Sequence, residues 1–247
     1  MNLRSLFVIF NFVLLSVVCW AQETSIYAVN PQGQLLRYSS NSSGELYNTL
    51  VVGQGGWAPF RFLFAGARGK LYAVNPQGQL LLYQDSGIGD VGGVKVIGGG
   101  GWASFRFLFA GDEDKIYAVN SQGQLLCYRD NGVNVADPQV IGNGGWAAFK
   151  ALFAGSGGAI YAVNSQGQLL HYQDHGHVAD PRVIGQGGWA NFTHLFAGSG
   201  EGIYAVNPQG QLIRYRYSGS GEAGGPQVIG QSGWAAFRLL AGARWKP

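Results

Sequence analysis

The pentapeptide Ile/Leu-Tyr-Ala-Val-Asn begins five times, at Ile26, Leu71, Ile116, Ile160 and Ile203. A Gly-Trp pair ends five times, at Trp57, Trp102, Trp146, Trp189 and Trp234, with successive tryptophans 45, 44, 43 and 45 residues apart. A period of this length marks stacked or radial repeats of one supersecondary unit. The units fall at about 26–70, 71–115, 116–159, 160–202 and 203–247, which leaves no room for a second domain.

Four short strands can be read in each unit. In the second they are residues 60–65 (FRFLFA), 70–75 (KLYAVN), 79–84 (QLLLYQ) and 94–97 (VKVI). Each is rich in aromatic and branched residues and bounded by Gly, Pro, Asn or Asp. Asn75-Pro76-Gln77-Gly78 between the second and third strands has the residue preferences of a type I turn, so these two form a hairpin. No window sustains a 3.6-residue period, and helix is not expected. Four antiparallel strands per unit of ~44 residues describe a propeller blade, and five units an all-β, five-bladed β-propeller. The chain enters on a second strand at Ile26 and leaves on a first strand at residues 237–241. Closing the ring by joining these two removes both open sheet edges, which are otherwise sites of aggregation. The closing strand reads one residue shorter than its counterpart at 60–66 and is a candidate for a bulge.

Residues 6–18 are apolar apart from Asn11 and Ser16, follow Arg4, and lead to Cys19-Trp20-Ala21. This is the layout of a secretory signal peptide cleaved after Ala21, so residues 22–247 are expected to be secreted. The apolar run is shorter than the ~20 residues that span a bilayer. Loss of Arg4 takes the formal charge from +3 to +2, too little to imply nucleic acid as a partner. Cys127 is then alone, no intramolecular disulfide is possible, and a monomer held by its core is expected.

The stretch 96–109, VIGGGGWASFRFLF, resembles the repeat of the tachylectin-2 family, five-bladed propeller lectins that bind N-acetylglucosamine and N-acetylgalactosamine. Gly-Gly-Trp-x-x-Phe-Arg/Lys-x-Leu-Phe recurs at Trp57, Trp102 and Trp146, with looser copies at Trp189 and Trp234. The resemblance implies a multivalent lectin with sites between adjacent blades, each formed by a connector and the long loop of the next blade. Gly55-Gly56-Trp57 then pairs with loop 84–93, and Gly100-Gly101-Trp102 with 129–138. Gly144-Gly145-Trp146 pairs with 173–181, Gly187-Gly188-Trp189 with 216–226, and Gly233-Trp234 with 39–48. Asp85, Asp130, Asp137, Asp174 and Asp180 are the candidate carboxylates in these loops. The family carries an Asn/Asp-Asn-Trp element in this loop. None of the loops here has a tryptophan, so that aromatic wall is missing.

A sugar site needs planar hydrogen-bonding groups and an aromatic face. The connector glycines offer amides and the tryptophans offer rings, yet each Trp fits equally as a wedge packed between blades. The acids after Leu-x-Tyr read either as solvated turn residues or as hydroxyl acceptors. Arg61, Arg106, Lys150 and Arg238, with Thr193 at the fifth position, form either an anion-holding ring in the channel or cations reaching water at its mouth. His171, His175 and His177 occur in one unit only, and no metal or other cofactor is expected. Glycosidase chemistry needs a carboxyl pair in one site that breaks the repeat, and no such pair, nucleophile elbow or phosphate loop is evident. The chain therefore reads as a binding protein and not an enzyme. The alternative is a secreted propeller that binds protein partners without sugar.

Overall fold

A computed structural model describes residues 24–41 and 43–244. The signal peptide read at 1–21, with Cys19, lies outside the described residues. The first blade contains β1 (Thr24–Val29), β2 (Leu35–Ser40) and β3 (Leu46–Gly53); the second β4 (Phe62–Ala65), β5 (Lys70–Val74), β6 (Leu80–Asp85) and β7 (Val91–Gly98). The third holds β8 (Phe107–Ala110), β9 (Lys115–Val119), β10 (Leu125–Arg129) and β11 (Gln139–Gly142). The fourth holds β12 (Ala151–Ala154), β13 (Ala159–Val163), β14 (Leu169–Gln173) and β15 (Arg182–Gly185). The fifth holds β16 (His194–Ala197), β17 (Gly202–Val206), β18 (Leu212–Arg216) and β19 (Gly224–Gly230), and β20 (Leu239–Arg244) returns to the first blade. These form five four-stranded antiparallel sheets, the first in the order β20-β1-β2-β3.

The second strand of each blade is buried on both faces, and its alternate residues serve two different interfaces. Leu71 and Ala73 pack toward the first blade, whereas Tyr72 and Val74 pack toward the third. The core is accordingly divided into five clusters, one between each pair of neighbouring blades. A fully buried Ile or Leu in such a cluster contributes roughly 1.5–3 kcal/mol. The inner strands β4, β8, β12, β16 and β20 neighbour one another around the axis. They enclose a narrow space of about 100 Å³ lined by Leu63, Phe64 and Ala65 and their counterparts.

The hairpin after the second strand is fixed by its own side chains. The Asn75 carbonyl oxygen of the side chain accepts from the Gln79 amide at 2.8 Å, its side-chain amide donates to Gln79 Oε1 at 2.8 Å, and Gly78 takes a φ of 74°. The same pair of bonds recurs at Asn30, Asn120, Asn164 and Asn207. Gln32, Gln77, Gln122, Gln166 and Gln209 are exposed at its tip.

The inner strands begin two residues later than the sequence predicts, because the connector enters through a turn. In four connectors this is a 3-10 turn, Trp102–Ser104, Trp146–Ala148, Trp189–Asn191 and Trp234–Ala236, too short to show a period. The closing strand carries no bulge. β20 pairs with β1 in unbroken register from Leu239↔Val29 to Arg244↔Thr24. The apparent shortening is a substitution: Ala241 stands where Phe64 stands in the second blade, and Gly242 where Ala65 stands. Without the phenyl ring β20 lies close to β16, and a Cβ on Gly242 would collide with the Ala197 carbonyl. Gly242→Val is expected to destabilise the ring by about 1–3 kcal/mol. Gly99→Ala, which meets nothing within 4 Å, is expected to be near neutral. Thermal unfolding of the two variants side by side checks the pair.

Candidate functional site

Each connector is locked to the hairpin of the blade it leaves. The Trp57 amide donates to the Gly33 carbonyl at 3.1 Å, and Trp102, Trp146, Trp189 and Trp234 repeat this bond to Gly78, Gly123, Gly167 and Gly210. The residue before each tryptophan is left-handed, with φ of 83° at Gly56, 102° at Gly101, 83° at Gly145, 84° at Gly188 and 86° at Gly233, a conformation that favours glycine. The five indoles are 5–6% exposed. Trp102 meets Phe105 edge-on at 5.5 Å and Tyr128 of the next blade at 4.8 Å. Its other side lies against Gly98, where a Cβ would strike the indole nitrogen. The tryptophans are thus wedges between blades, while Gly55, Gly100, Gly144 and Gly187 stand exposed beside them.

Three of the loop carboxylates are neither solvated nor open to a ligand. Asp85 accepts from Arg37 Nη1 at 2.7 and 2.6 Å on its two oxygens, from the Tyr27 hydroxyl at 2.6 Å and from the Gly87 amide at 2.7 Å. Asp130 accepts from Lys70 Nζ at 2.8 Å, the Tyr72 hydroxyl at 2.8 Å and the Gly132 amide at 2.7 Å. Asp174 repeats this with Lys115, Tyr117 and Gly176. Each is a clamp by which one blade grips the preceding one. Burial alone would raise the Asp130 carboxyl, but the bonds from Lys70, Gly132 and Tyr72 outweigh it and hold the group below the ordinary aspartate value. Asp174 is lowered by the same balance. Burial, and then the neighbouring aspartates, push the Tyr27, Tyr72 and Tyr117 phenols well up, so they remain donors. Burial likewise raises the Cys127 thiol.

Loop and connector do meet, on the packed side of each interface. Val91, Val135, Val178, Ala223 and Leu46 insert into the clusters that hold Trp57, Trp102, Trp146, Trp189 and Trp234. The amides of Val135, Val178 and Ala223 donate to Ile97, Ile141 and Ile184 on the outer strand of the preceding blade. At the fifth interface the meeting leaves a cavity of about 580 Å³, lined by Ser232, Gly233, Trp234 and Phe237 from the connector and by Tyr38 and residues 46–49 from the first blade. The ring of Tyr47 is 53% exposed there, with Asn48 beside it. Sequence reading missed Tyr47, although it is the aromatic residue of loop 39–48. Asp137 lies in a cavity of about 280 Å³ with Arg129 and Gln139, and Asp180 in one of about 460 Å³ with His175, His177 and Arg182. Neither of these two includes a connector tryptophan.

Arg61, Arg106, Lys150 and Arg238 are exposed at the entry to the inner strands and do not line the central space. Among the described residues no group of three His, Cys, Asp or Glu side chains is arranged to hold a metal ion. No helix among them is long and apolar enough to cross a membrane.

Ring, blades and interblade clefts define the class: a single-chain β-propeller of five four-stranded blades. The model of the Tachylectin family matches residues 14–137 and 130–244, and the chain belongs to that family. No curated protein matches it. Among solved structures it is similar to a symmetrical protein of de novo evolutionary emergence, with 24% identity over 88% of this chain and 97% of the other and a TM-score of 0.69. AofleA from Arthrobotrys oligospora shares 12% identity over 91% and 73%, with a TM-score of 0.53. A mutant of the Aleuria aurantia lectin, in complex with Fucalpha1-6GlcNAc, shares 15% over 83% and 75%, with a TM-score of 0.50. At these identities the likeness establishes the propeller fold.

Asp174→Asn is expected to cost about 3 kcal/mol at pH 7, because it leaves Lys115, whose ion pair is with Asp174, facing a neutral partner in a largely buried setting. The folded carboxyl ionises at lower pH than its unfolded form, so the clamp contributes in full above about pH 4 and is lost as pH falls through the folded value. The difference between wild type and variant, followed by thermal unfolding, should therefore shrink as pH drops below that range.

Proposed function

We propose that the chain is a secreted carbohydrate-binding lectin that takes N-acetylated hexosamines in the clefts between blades. The observation that carries the reading is the cavity beside Trp234. It combines the exposed ring of Tyr47, the amide side chain of Asn48, the Ser232 hydroxyl and the backbone of Gly233. An aromatic face with a few convergent polar groups is what a sugar ring requires. Tyr47 supplies here the wall that the other loops lack. Membership of the Tachylectin family supports the same reading.

The connector glycines of the other four interfaces are exposed as well, and weaker sites beside them would make the proposed binding multivalent. Several weak sites on one rigid ring raise avidity for a glycan-coated surface by roughly 10²–10⁴. Binding without catalysis is favoured because Asp85, Asp130 and Asp174 are spent on ion pairs. Secretion rests on the leader at 1–21.

Calorimetric titration with N-acetylglucosamine, N-acetylgalactosamine and fucose tests the proposal. Saturable binding of an N-acetylated sugar, weakened about tenfold by Tyr47→Ala or Asn48→Ala in a protein that still unfolds cooperatively, is the expected result. Binding of fucose alone would overturn the specificity. No binding of any of the three at millimolar concentration would favour the protein-binding scaffold.

A further inference from the structure

The clamps between blades are not all alike. At the second interface Lys70 Nζ sits between Asp114, in the inner turn of the next blade, and Asp130, at 2.8 Å from each. At the fourth interface the same frame carries other residues. Position for position, Ala159 stands at Lys70, Tyr161 at Tyr72, Glu201 at Asp114 and Tyr217 at Asp130. The lysine has gone, and one of its two acids remains.

The space that opens is real. A cavity of about 540 Å³, lined by Ala159, Tyr161, His171, Glu201 and Tyr217 among others, runs from this interface to the mouth of the channel. The rings of Tyr161, His171 and Tyr217 stand 5.3–6.1 Å apart and form its apolar wall. Tyr217 is 4% exposed, and its hydroxyl has no hydrogen-bond partner. Glu201 makes no ion pair among the described residues. Burial, with the nearby Arg182 charge, lowers the His171 pKa, so the imidazole is neutral at pH 7 and adds no competing cation.

We propose that this cavity binds a primary ammonium group on an aliphatic chain, seated where the second and third interfaces hold their own lysine. The ammonium pairs with Glu201 and donates to the Tyr217 hydroxyl oxygen. The carbon stem lies against the three rings, whose faces also attract the cation. The site shares no residue with the cavity beside Trp234 and stands or falls apart from sugar binding.

The test is calorimetric titration of the full chain with 1,5-diaminopentane and, separately, with Nα-acetyl-lysine methylamide. One equivalent of the diamine should bind. Glu201→Gln, at an exposed position that leaves the core intact, should weaken it about tenfold or more. Ala159→Lys, whose own side chain refills the frame, should abolish binding and raise the unfolding temperature, while Tyr47→Ala should leave amine binding unchanged. Binding of both probes would extend the ligand class to lysine side chains, and binding of the diamine alone would confine it to free amines. No saturable binding of either amine at millimolar concentration, or equal binding by wild type and Glu201→Gln, would overturn the proposal.

Discussion

A sheet whose second strand is apolar on both faces has no side to turn to water. In this chain that strand alternates between two neighbours, as Leu71 and Ala73 against Tyr72 and Val74 show. A single blade cannot bury itself, and a linear row of blades would leave two uncovered faces at its ends. Only a closed ring satisfies every blade. The tryptophan wedges, the flat glycines beneath them and the loop residues that plug each cleft all follow from this requirement, since each fills a gap that two twisted sheets leave when they meet at an angle.

Around that invariant packing the polar clamp has been free to drift. The cation comes from the third strand at the first interface, as Arg37, and from the second strand at the next two, as Lys70 and Lys115. The position left vacant is filled by Ser25 in the first blade, Leu82 in the second and Cys127 in the third. At the fifth interface Ser40 replaces the acid, Thr24 takes the bond from the Tyr204 hydroxyl, and Arg214 keeps a buried Nε and Nη1 without partners. Such variation is tolerable because a buried ion pair returns little net stability beyond its own desolvation cost. The apolar wedge, present at all five interfaces, holds the blades.

The blades were legible because their signals are local: the strand pattern, the Asn-x-x-Gly turn and the repeat length lie within a few dozen residues. Closure was legible from the two ends of the same pattern. The clamp was not, because Asp85 and Tyr27 are 58 residues apart and the cation changes strands between copies. Its trace is an exclusion: the units with lysine before Leu/Ile-Tyr have an uncharged residue at the third-strand position, and the unit with Arg37 there has Ser25 instead. The tryptophan left two readings open because one ring can serve as wedge or as platform. What decides it is Gly98, four residues before Trp102, whose missing side chain is the space the indole occupies.

The pairing of β20 with β1 joins residues from Thr24 to Arg244. During synthesis β1 is among the first described segments to emerge and must wait for nearly the last. Until then the first blade has three strands and a bare edge, and the fifth has no neighbour on one side. The ring is thus a late, high-contact-order event on the folding path. Chaperone demand, and vulnerability to proteases, should be concentrated in that interval and not in the finished molecule.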